Sequence, residues 1–165
     1  MPTETPTFDW VVLLDVQGLF GGRDLWLAAD GTAHCRTVGP PRQGEARLPE
    51  RRFSFTAPAG DLDELRRLLA ARDVAAIRTP ARYGVPDEAR PVICVQSGGE
   101  RHAVAKWARD VHPEFDAIYG LLVRIVNRGA AGTPIAERAR GRNWHPAGFP
   151  DRQAILDLDT LEPNA

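Results

Sequence analysis

Along most of the chain, apolar residues either alternate with polar ones or form short β-branched runs; helical spacing dominates in only two places. Residues 10–16 read Trp-Val-Val-Leu-Leu-Asp-Val, a strand with Trp10, Val12, Leu14 and Val16 on one face. Residues 17–23 form a glycine-rich connection. Two apolar-rich runs then flank Asp30-Gly31, a pair that tolerates the positive φ of a tight turn, and predict a hairpin supplying strands two and three. Residues 38–50 hold three prolines and two glycines and read as a loop. Residues 51–56 alternate and make a fourth strand, with Phe53 and Phe55 inward.

The first helical pattern covers residues 61–71, with Leu62, Leu65, Leu68 and Leu69 as one stripe. Asp61 and Glu64 have the spacing of a capping box. A short helical turn fits residues 73–77, and a proline-punctuated loop fits 79–91. Residues 92–96 and 102–106 pair as a hairpin across 97–100. The second helix begins at Pro113, with His112 as its cap, and carries Phe115, Ile118, Tyr119, Leu122, Ile125 and Val126 on one side. Gly129 is a natural stop. Residues 135–139 read as a helical turn, and Ile155, Leu156 and Leu158 could dock the remainder.

The order β-β-β-β-α-β-β-α lacks strand–helix–strand alternation. It predicts an α+β protein: a mostly antiparallel six-stranded sheet with two helices packed on one face, plus a C-terminal tail. The corresponding organisation is a flexible arm at 1–7, a single domain at 8–129, and a partly docked extension at 130–165.

Composition narrows the classes. A hydrophobic fraction of 43% in 165 residues supports a real core. The formal net charge of -1 gives no global attraction to nucleic acid, and acidic residues balance the arginine clusters, so nucleic acid is not an expected partner. Lys106 is the only lysine, a skew that points to coding-sequence composition rather than to a basic site. No run approaches a membrane span or a secretory leader, and the two cysteines make no disulfide framework. The expected setting is cytoplasmic.

Little chemistry is written locally. The cluster Gly18-Leu19-Phe20-Gly21-Gly22-Arg23 lacks the Gly-Lys-Ser/Thr ending and the following helix of a phosphate loop. The four histidines, His34, His102, His112 and His145, show no metal-ligand spacing, and no cofactor or metal is expected. Asp110-Val111-His112 could orient an imidazole on a carboxylate. Ser54 and Ser97 lack a nucleophile-elbow context. No catalytic residue is assigned.

The aromatics are more informative. Trp26 must face opposite to Leu25 and Leu27, hence away from the helices. There it is either a partner surface or covered by the 38–50 loop or the tail. The candidates for partner binding are Trp26, Phe20, Arg23, Trp107 and Trp144.

Gly21-Gly22-Arg23, Leu62 to Leu69, Pro86-Asp87, the hairpin of 92–104 and the helix of 113–126 resemble, in order, emfourin-type inhibitors of thermolysin-like metalloproteases. Uncharacterised domains of bacterial lipoproteins are similar in layout. The resemblance spans about two thirds of the chain and implies a bacterial protein. It rests on layout, so no inhibitory residue carries over. The Asp-Gly hairpin, the 38–50 loop and the tail depart from it. The expected function is therefore non-enzymatic action through a protein partner, with protease inhibition as its sharper form. The alternative is a small hydrolase using His112 or His102 with Asp110.

Overall fold

The structure, a computed structural model, describes residues 8–17, 21–39, 48–139 and 144–158. The strands are β1 (Trp10–Gln17), β2 (Gly21–Ala28), β3 (Thr32–Val38), β4 (Pro49–Thr56), β5 (Val92–Ser97), β6 (Glu100–Ala105) and β7 (Ala136–Ala139). The helices are α1 (Ala59–Ala71), α2 (Pro113–Gly129) and α3 (Arg152–Leu156), with one 3-10 turn at Val74–Ala76. The fold is α+β, and the strands form a single sheet in the order β6-β5-β1-β2-β3-β4-β7. Every pairing is antiparallel.

The Asp30-Gly31 turn forms as its chemistry dictates. Gly31 has φ 94°, and the Asp30 carboxylate accepts the Thr32 N–H at 2.8 Å. Strand alternation then divides the core in two. On one face Val11, Leu13, Leu25, Leu27, Cys35 and Phe53 pack under α1 and α2, whose Leu65, Phe115, Leu122 and Ile125 are fully buried. The other face carries Trp10, Val12, Leu14, Trp26, Val92 and Cys94. It is roofed by Trp144, Phe149 and Ile155 of the C-terminal segment.

Several expectations are corrected here. Among the described residues seven strands replace six and three helices replace two. Residues 136–139 are not a helical turn: they extend the sheet beside β4, with Glu50↔Arg138 and Arg52↔Ala136 in register. Asp61 is not an N-cap. Helix α1 begins two residues earlier behind Pro58, and the Asp61 carboxylate binds Arg124 (3.1 Å) and Arg128 (2.8 Å) on α2. Glu64 also reaches Arg124, so the capping-box pair is an inter-helix clamp. Gly129 is the last residue of α2 and has no left-handed cap geometry. Its missing Cβ makes room for the half-buried Phe55 ring, which would lie 2.2 Å from that atom. His112 does cap α2, its Nδ1 accepting the Phe115 N–H at 3.2 Å.

Candidate interaction surface

The glycine cluster is a strand connection in its described part. Gly21 and Gly22, at φ 77° and 133°, open β2. A Cβ on either would lie within about 2 Å of the Val38 or Asp15 carbonyl oxygen. Two residues on, the Asp24 carboxylate accepts the Asp15 and Val16 N–H groups at 2.9 and 3.2 Å. Phe20, Gly18 and Leu19 lie outside the described residues, as do residues 1–7 and most of the 38–50 loop. Arg23 faces the helix side opposite Asp15. There the Tyr119 hydroxyl donates to Asp15 Oδ2 at 2.6 Å, and burial raises the pKa of both groups.

Trp26 faces away from Leu25 and Leu27, as strand alternation requires, but it is 2% exposed. Trp144 meets it edge-to-face with ring centroids 5.1 Å apart, and Arg52 lies over the Trp144 ring at 4.3 Å. Of the two possibilities for that face, cover by the tail holds, so Trp26 offers no contact surface in this conformation. Beside it runs a buried ladder across three strands. Arg36 binds Asp24 at 2.6 Å and Glu50 at 3.1 Å, and Arg52 binds Glu50 at 2.7 Å. Asp24 and Glu50 are 0% exposed. Among the described residues two carboxylates and two guanidinium groups balance, which is how charges persist in such a place.

Trp107 has a different setting. It follows β6, is half-buried, and donates its Nε1–H to the Arg82 carbonyl at 3.0 Å. Its ring lies against Gly84, where a Cβ would come within 2.3 Å of the ring, and Arg82 and Arg90 flank it at 5.7 and 5.3 Å. The Glu88 carboxylate ties the 79–91 loop together. It accepts the Val85 and Arg109 N–H groups at 3.0 Å each and the Arg82 guanidinium at 2.7 Å. Arg82 also grips Asp110 at 3.1 Å. The hydrogen bond from Arg82 lowers the Glu88 pKa to about 2. Out of this braced frame stand Tyr83, 97% exposed, Val111, 84%, and Val85, 39%. They are three of the four exposed large hydrophobic residues among the described positions, the other being Ile135.

The groups considered for catalysis do not converge. Asp110 is held by Arg82, and His112 faces its own helix N-terminus. His102 lies 3.6 Å from Glu100 on β6, and His145 contacts the Pro146 carbonyl. One pair not foreseen does form: His34 Nδ1 and Ser54 Oγ are 2.7 Å apart across β3 and β4. Burial lowers the His34 pKa. Phe149 meets the His34 ring edge-on at 6.3 Å, and no carboxylate bonds that imidazole among the described residues. Cys35 and Cys94 are free and lie on opposite faces of the sheet, with burial pushing each thiol up to about 12. Among the described residues no group of histidine, cysteine and acidic side chains is placed to hold a metal ion. No helix there is long and apolar enough to cross a membrane.

Of the candidates singled out from the sequence, Trp107 borders this exposed cluster, and Tyr83, Val85 and Val111 were not among them. The available signal was the loop itself, whose Arg82 and Glu88 bracket an aromatic and two apolar residues. The architecture defines a two-faced antiparallel α+β domain. The chain matches no family model, and no curated protein or solved structure shows significant similarity to it.

Proposed function

We propose that the chain is a non-catalytic protein that binds a protein partner through the surface formed by the 79–91 loop and the 107–112 turn. The observation that carries this reading is the exposure of Tyr83 on a loop already held in one shape. A rigid loop loses little conformational entropy on docking, and a protruding tyrosine beside apolar residues is the composition of an interface anchor. Arg82, Glu88, Asp110 and Trp107 act as the frame: their mutual bonds leave Tyr83, Val85 and Val111 free to meet a partner. Protease inhibition, implied by the layout resemblance, is the sharper form of this proposal. The hydrolase alternative has less support, because Asp110 is engaged by Arg82 while His112 serves its helix.

The test compares capture from native lysate by the wild-type chain and by a Tyr83→Ser/Val111→Ser variant, after circular dichroism has shown both folded. A protein retained by the first and lost by the second supports the surface. Equal retention places any partner elsewhere and overturns it. Adding the purified chain to a thermolysin-like metalloprotease tests the sharper form directly.

A further inference from the structure

A cavity of about 360 Å³ opens between the C-terminal end of α1, the 3-10 turn and the β5–β6 hairpin. It lies apart from the Tyr83 surface and uses none of its residues. Its floor is hydrocarbon, supplied by Phe8, Leu69, Val74 and Val95. Its rim is ionisable, supplied by Asp73, Glu100 and His102. The volume lies within the range of small-molecule pockets, and an apolar floor with a few polar groups is their usual build.

The formal charges at the rim are two carboxylates, Asp73 and Glu100, with the His102 imidazole 3.6 Å from Glu100. Arg72 and Arg101 flank the rim residues in sequence, yet both turn away. Arg72 Nε forms an ion pair with Glu114 Oε2 at 2.6 Å. Arg101 lies over the Trp10 ring at 5.4 Å, on the opposite face of the sheet, and bonds Gln96 at 2.8 Å. Among the described residues no arginine or lysine lines the cavity. Asp73 uses Oδ1 to accept the Ala75 N–H at 3.0 Å, and that bond fixes its carboxylate at the edge. Glu100 sits in the tight β5–β6 turn, in register with Ser97. The cavity therefore offers burial to a hydrocarbon body and two carboxylates to a cation at its mouth.

We propose that this cavity binds small organic cations with an apolar body, the class of alkyl- and arylalkylamines. The hydrocarbon part lies on Phe8, Val74 and Val95, and the ammonium meets Asp73 and Glu100. An amine donates up to three hydrogen bonds, which suits a rim of carboxylate acceptors better than a hydroxyl or an acid does.

The test uses the full ¹⁵N-labelled chain titrated with phenethylamine, phenethyl alcohol and hydrocinnamate, which share a phenyl body and differ in head group. Phenethylamine should shift the amides of Ser97, Glu100 and His102 saturably. The alcohol should bind about fivefold more weakly, and the acid more weakly still. Asp73→Asn keeps the cap to Ala75, and Glu100→Gln sits in an exposed turn, so neither should disturb the fold. Each should weaken the amine about fivefold while leaving the alcohol unchanged. Equal shifts from the amine and the acid, no saturation with the amine, or unchanged amine affinity in both variants would overturn the proposal.

Discussion

Glu50→Gln probes the charge ladder most sharply. Glu50 is fully buried and is shared by two guanidinium groups, Arg36 at 3.1 Å and Arg52 at 2.7 Å. Glutamine keeps the shape but removes the negative charge and turns an amide toward a cation. Breaking a buried pair from one side costs about 3–5 kcal/mol, because the remaining charge stays out of water. Against a total stability of about 5–15 kcal/mol this is a large fraction. At roughly 2–4 °C per kcal/mol for a domain of this size, the melting temperature should fall by roughly 6–20 °C. The matched control is Glu137→Gln, which breaks the Arg51–Glu137 pair, also 3.1 Å long but 26% and 62% exposed. That change should cost less than about 1 kcal/mol and vanish in high salt. Urea unfolding followed by circular dichroism, at low and high salt, measures both. If Glu50→Gln costs no more than Glu137→Gln, the ladder is effectively hydrated and the argument from burial fails.

Two further outcomes follow from packing and protonation. Ile155→Ala should cost about 2–5 kcal/mol in the same urea assay, since Ile155 is 1% exposed against the second face; a loss below about 0.5 kcal/mol would mean the roof is dispensable. The Glu88 pKa is lowered in the folded state, so the brace contributes fully above the ordinary glutamate range and is lost as the pH falls toward 2. The indole N–H resonance of Trp107 should accordingly stay fixed from neutral pH through about pH 4 and move only near pH 2; a midpoint at the ordinary glutamate value would refute the Arg82 clamp.

Local chemistry was legible at two places where a residue's partner lay a few positions away. Asp30 and Gly31 needed only each other and Thr32, and His112 needed only Phe115. Alternation placed Trp26 opposite Leu25 without error. What covers Trp26 is Trp144, more than a hundred residues on, and no periodicity expresses that meeting. Residues 136–139, Ala-Glu-Arg-Ala, have helical propensity, but a free sheet edge beside β4 overrides it. Asp61 shows the same competition: its spacing to Glu64 suits a cap, yet two arginines of α2 offer stronger, charge-assisted bonds. Arg82 and Glu88 lie in one loop, but the brace also needs Asp110 and the Arg109 N–H, from a second segment that only the fold brings close. The His34–Ser54 contact depends on a cross-strand register set across the 38–50 loop.

The roof over the second face also orders events in time. Synthesis runs from the N-terminus, and β1 to β6 with α1 and α2 are complete by residue 129. At that moment Trp10, Trp26 and the charge ladder still lack their lid, and β4 still presents an open edge. A nascent chain of that length is a half-finished sandwich with sticky apolar surface and solvated charges side by side. Closure waits for residues 136–158 to leave the ribosome, so a pause or cut in that interval would expose the sheet to aggregation or to a chaperone.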